Sequence, residues 1–135
     1  MSFEELEHTA DVLMRVRGAT LNELFGEASR AMFHVMYGLC EDRGAGWRID
    51  LEAENPESLL IDYLSELLFI SEVENIVFCT FDVEIRDTRL SAVLRGEPFD
   101  PARHSAGTHI KGISYFGLEI VKEEESYVVD IIFDI

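Results

Sequence analysis

Apolar positions along this chain fall into alternating runs and helical stripes, and these predict its elements in turn. Val12, Met14 and Val16 alternate with Leu13, Arg15 and Arg17, as in a strand with one face on a core, and Gly18 ends the run. Thr20-Leu21-Asn22-Glu23 has the form of a capping box, in which hydroxyl and carboxylate satisfy the amides left unpaired at a helix start. Leu21, Leu24, Phe25, Ala28, Met32, Val35 and Met36 follow with helical spacing up to Gly38, a residue suited to the left-handed position past a helix end. After a turn at Gly44-Ala45-Gly46, Trp47, Ile49, Leu51 and Ala53 alternate with Arg48, Asp50 and Glu52, a second strand with a charged outer face.

Asn55 before Pro56 signals a second helix start, and the run to about Ser71 is apolar over more than one stripe, which predicts a central, buried helix. Ile76 to Arg86 and Arg89 to Glu97 read as a hairpin around Asp87-Thr88. Pro98 to Gly107 reads as a loop, and Ile113 to Lys122 with Tyr127 to Ile135 as a second hairpin around Glu123-Glu124-Glu125. Two helices and about six strands predict one α+β domain over residues 1–135. Its sheet is largely antiparallel or mixed, with the helices on one face. The strand order does not follow from the pattern.

Charge narrows the partners. Among 135 residues, 27 are Asp or Glu against 11 Lys or Arg, a net charge of −16. Such a surface repels a phosphate backbone, so direct nucleic-acid binding is not expected. A basic protein or a metal cation complements the field, although acidity also serves solubility alone. The 47% apolar content excludes disorder, and no apolar run approaches the roughly 18 residues of a membrane span. Met1 to Glu7 lacks the order of a signal peptide, and Cys40 and Cys79 lie outside any CxxC spacing. The expectation is a cytoplasmic protein with two free thiols.

GxSxG, HExxH, GxxxxGK[ST] and GxGxxG are all absent, so hydrolase and nucleotide-binding readings have no motif beneath them. The final strand keeps its β character to the last residue, which sets the α-carboxylate of Ile135 beside Asp134. Two like charges held together call for a cation or hydrogen bonds, and an all-oxygen set favours Ca²⁺, Mg²⁺ or Mn²⁺; the plainer alternative is a solvated Asp134. His8-Thr9-Ala10-Asp11 precedes the first apolar strand, and on local physics its plainer reading is a turn closed by Asp11 or Thr9. Lys111, one of two lysines, is flanked by Ile110 and Gly112 at the edge of an acidic surface, and a solvated lysine is its plain reading. His104 and His109 have no third nitrogen or sulfur ligand at a zinc spacing and read as loop histidines.

Four of these segments belong together. His8-Thr9-Ala10-Asp11, Thr20 to Phe25, the block from Gly96-Glu97 through Asp100 and His104 to Ile110-Lys111, and the ending Ile132-Phe133-Asp134-Ile135 resemble the archease family in order and spacing. The resemblance implies a small acidic activator of the tRNA-splicing RNA ligase, which uses GTP and Mn²⁺ to guanylylate its own histidine. Archeases promote that step and multiple turnover and broaden the usable nucleotides. Carried over by position, the resemblance implies Asp11, Asp134 and the terminal carboxylate of Ile135 as ligands of a divalent ion. That ion is calcium first, with magnesium or manganese as alternatives. The family's functional lysine falls on Lys111, and no catalytic residue is implied. The family's TYH-like segment departs here to Ser114-Tyr115-Phe116, which removes its histidine. Two rival classes are a metal-stabilised interaction or chaperone-like module and a divalent-metal hydrolase.

Overall fold

A computed structural model describes residues 2–6, 11–104 and 107–135 of the chain. In chain order the elements are β1 (Ser2–Leu6), β2 (Val12–Gly18), α1 (Leu21–Tyr37), β3 (Ala45–Glu52), α2 (Pro56–Glu74), β4 (Ile76–Arg86) and β5 (Arg89–Pro98). There follow α3 (Pro101–His104), β6 (Gly112–Ile113), β7 (Val121–Lys122) and β8 (Tyr127–Asp134). The architecture is α+β, as expected, but the strands form two sheets. One has the order β1-β2-β8-β6, with β7 also on β8, and the other β3-β5-β4; all pairs are antiparallel.

Both long helices begin where their capping residues stand. Thr20 Oγ1 accepts from the Glu23 amide at 3.1 Å, and the Glu23 carboxylate accepts in return from the Ala19 amide at 2.9 Å. Asn55 Oδ1 accepts from the Ser58 amide at 2.8 Å, with Pro56 opening the helix. α1 stops at Gly38 (φ 75°), and α2 runs to Glu74, three residues beyond Ser71, before the left-handed Asn75 caps it. α1 lies against β2, β1 and β8 of the larger sheet and β4 of the smaller, so one helix closes the core from both sides. Leu24, Phe25, Leu60, Tyr63, Leu64 and Leu67 meet there, fully buried.

Three departures from expectation have local causes. β1 is an edge strand whose mostly exposed acidic residues carry no alternation to betray it. The segment expected as one strand from Ile113 to Lys122 pairs only at its ends. Between them Ser114 Oγ takes the Phe116 amide at 3.1 Å and Gly117 turns at φ 66°, which draws the backbone away from the ladder. Finally, Cys40 and Cys79 are not free thiols: they form a disulfide with Cα atoms 5.4 Å apart. The turn after Gly38 brings Cys40 back against β4, where a register shift between Phe78 and Thr80 presents Cys79. Local spacing is blind to a pairing across 39 residues. Among the described residues, no helix is long and apolar enough to cross a membrane.

Candidate metal centre

β8 carries the candidate site because it has a neighbour on each side. Val129, Ile131 and Phe133 point into the core, so Asp130, Ile132 and Asp134 share the opposite face. On that face Arg15 pairs with Asp130 through two bonds of 2.8 and 3.0 Å, and Leu13 stands opposite Ile132. The hydrogen bond and charge of Asp130 raise the Arg15 guanidinium above its ordinary value. The last register pair is Val12 with Phe133, so Asp11, the residue just before β2, lies at the same sheet end as Asp134.

The other flank of β8 is β6. Gly112 pairs with Asp134, and the Lys111 amide donates to the Asp134 carbonyl at 2.7 Å. A side chain at position 112 would approach Asp134, since a Cβ there would lie 3.9 Å from Oδ2. Ile110, fully buried, anchors this segment, while Lys111 is exposed. The Thr108 amide ties the approach to the Val35 carbonyl at the end of α1 at 2.9 Å. Asp11, Asp134, Ile135 and Lys111 therefore gather at one end of the larger sheet, although 123 positions separate Asp11 from Asp134. His8, Thr9 and Ala10 lie outside the described residues. Tyr115 and Phe116 are exposed on the turn after β6.

Two aspartates and the α-carboxylate of Ile135, the expected ligands, would make an oxygen-only donor set. Such a set would suit a hard divalent ion of the calcium, magnesium or manganese kind and offers nothing that selects zinc or copper. Lys111 brings a counter-charge on the adjoining segment.

A second polar cluster joins Glu97 and His104, which the sequence named in one block without showing that they meet. Glu97, at the end of β5, is 2% exposed and accepts from the Glu41 amide and Arg103, with Arg43 at 4.0 Å. Burial pushes its carboxyl up, but the Glu41 amide, Arg103, His104 and Arg43 together outweigh this and hold it below the usual range. His104, expected in a loop, ends the short α3 and is buried beneath Tyr37 and Phe99. Its Nδ1 accepts from the Asp100 amide at 2.9 Å, and its Nε2 lies 3.4 Å from Glu97 Oε1. The nearest signal in the sequence is a glutamate followed at six and seven residues by Arg103 and His104. His109 is exposed, with Nδ1 3.9 Å from Glu72.

Comparison with known proteins gives one consistent answer. The model of the Archease protein family (MTH1598/TM1083) matches residues 3–135. Protein archease of Methanosarcina acetivorans is 40% identical over 139 residues, spanning 98% of this chain and 95% of that protein. Protein archease-like of Drosophila melanogaster is 35% identical, spanning all of this chain and 91% of that protein. The solution structure of Methanobacterium thermoautotrophicum protein 1598 superposes with a TM-score of 0.85 at 32% identity, covering 98% of each chain. A Thermotoga maritima crystal structure described as "an archease, possible chaperone" shares the fold at a TM-score of 0.70 and 18% identity, covering 98% of this chain and 96% of that one. With the family model spanning nearly every residue and relatives from archaea to an insect agreeing, this chain belongs to the archease family.

Proposed function

We propose that this chain is a protein activator of the tRNA-splicing RNA ligase, promoting the ligase's GTP-dependent guanylylation and multiple turnover and broadening its nucleotide use. Membership of the archease family carries the reading. The gathering of Asp11, Asp134, Ile135 and Lys111 at one end of the larger sheet supports it, because a cluster drawn from distant segments presents a single surface to a partner. Asp11, Asp134 and the terminal carboxylate would hold a divalent ion, calcium first and magnesium or manganese otherwise. When bound, that ion supplies positive charge for an anionic group of the partner's active site. The chain's own residues orient this end: β2 begins directly after Asp11, the Lys111 amide just before β6 donates to the Asp134 carbonyl, and Lys111 offers a cation on that segment. An acidic body suits docking on a ligase whose groove must be basic to hold RNA.

The test mixes the protein with the ligase, GTP and Mn²⁺ and follows covalent guanylate on the ligase. Wild-type protein accelerates guanylylation, and Asp134→Ala abolishes the stimulation while remaining folded. Full stimulation by D134A removes the acidic cluster from the mechanism; absence of stimulation by the wild type removes the activator reading. The words "possible chaperone" in the description of the Thermotoga maritima relative suggest a second reading, an interaction module, in which the ion would be structural. Under that reading chelation lowers the melting temperature, but the ion-free protein still activates the ligase.

A further inference from the structure

We propose that Cys40, Cys79 and Glu97 form a second metal site, which takes a borderline-soft divalent ion of the zinc class once the disulfide is reduced. The proposal does not depend on the ligase reading. The two sulfurs and a carboxylate oxygen of Glu97 all lie within 4.8 Å of one another. Three separate elements bring them there: the turn closing α1, the irregularity in β4 and the end of β5. Gly96 makes the approach feasible, since a Cβ at that position would collide with the Val77 carbonyl. Thiolates on one tetrahedral zinc stand about 3.8 Å apart, given Zn–S distances near 2.3 Å. Cα atoms at 5.4 Å leave the two half-buried side chains room to open to that spacing by rotation.

The surroundings suit a metal better than they suit two bare thiols. Two thiolates and a carboxylate carry three negative charges, which the ion and the neighbouring Arg43 and Arg103 offset. Glu97 Oε2 accepts from the Glu41 amide and keeps a second lone pair for the ion. His104 stands outside the ligand set as a positioning residue. Its Nδ1 accepts a hydrogen bond, so the proton of the neutral ring sits on Nε2, a buried atom without a hydrogen-bond partner that faces Glu97 Oε1 at 3.4 Å. Reduction balances as a thiol–disulfide exchange. A dithiol reductant leaves with the disulfide and two thiols remain on the protein; the ion then displaces their two protons into solvent.

Cobalt(II) serves as the optical probe for zinc. The full-length chain, reduced with a dithiol and freed of reductant, is expected to bind one equivalent of Co²⁺ with sulfur-to-cobalt charge-transfer absorption and tetrahedral visible bands, and Zn²⁺ to bleach both. The oxidised wild type shows neither band and needs no mutation as a control. Cys79→Ser at least halves the charge-transfer absorption, because one thiolate is left, Asp134→Ala retains it, and Glu97→Gln weakens Co²⁺ binding by at least the roughly 10- to 100-fold that loss of an outer-shell partner costs. Reduced wild-type protein without charge-transfer absorption at stoichiometric Co²⁺ overturns the site. Unchanged affinity in E97Q overturns the three-ligand assignment.

Discussion

Tyr63 is buried between the two long helices, and its hydroxyl lies 2.7 Å from Ser29 Oγ, which is itself 2.7 Å from the Phe25 carbonyl. Each hydroxyl has one proton, so both contacts are satisfied when Tyr63 donates to Ser29 and Ser29 donates to Phe25. The two ends of this short relay are unequal. Tyr63→Phe removes a donor and leaves Ser29 bonded, at a cost of about 1 kcal/mol, whereas Ser29→Ala strands a buried phenol at about 1–3 kcal/mol. Urea denaturation of both variants checks the order; equal losses would mean that Ser29 does not hold the tyrosine. Burial raises the Tyr63 phenol well above its ordinary value, and the Ser29 bond only partly opposes this. The folded state therefore favours the neutral form. That stability is fully present below the unfolded pKa of about 10 and is lost as pH rises through and beyond it. Y63F should lose less stability than wild type between about pH 8 and about pH 11.

Among the elements, those coded by neighbouring residues were legible and those coded across the chain were not. The Thr20 and Asn55 caps, the helical stripes they introduce and the Asp87-Thr88 hairpin, with Asp87 at φ 55°, are each complete within a short window. β1 owes its existence to β2 and has no buried stripe of its own, and the Ser114–Gly117 turn breaks a run whose composition is β-rich. Cys40 and Cys79 meet only because α1 ends where β4 is irregular. Their bridge closes a loop of 39 residues, which chain-entropy arguments value at about 4 kcal/mol. For a domain of this size, reduction should lower the melting temperature by on the order of 10 °C. Thermal unfolding with and without reductant measures it. Coincident curves would show that the unfolded chain gains no freedom from the break.

At the scale of the whole molecule, the candidate metal centre is a consequence of topology. Alternation along the final strand placed Asp134 and Ile135 at its end, but nothing local to Asp11 identifies its partner, because the β2–β8 pairing joins the two extremities of the chain. Only the family resemblance coupled them in the sequence. Against a net charge of −16, a further concentration of carboxylates at one sheet end is unfavourable unless something compensates it, and Lys111 is a single cation. If a divalent ion provides the balance, the α-carboxylate of Ile135 should matter as a charge rather than as part of the fold, since Ile135 is 42% exposed beyond the last paired residue. Converting that carboxylate to a primary amide removes the charge and adds almost no bulk. Calcium affinity, followed by titration calorimetry, should fall by at least about tenfold, because ligand charge sets the affinity of oxygen-only sites. The melting temperature of the ion-free protein should stay unchanged. Equal calcium affinity in the amidated and native chains would exclude Ile135 as a ligand and leave Asp11 and Asp134 too few donors to hold the ion alone.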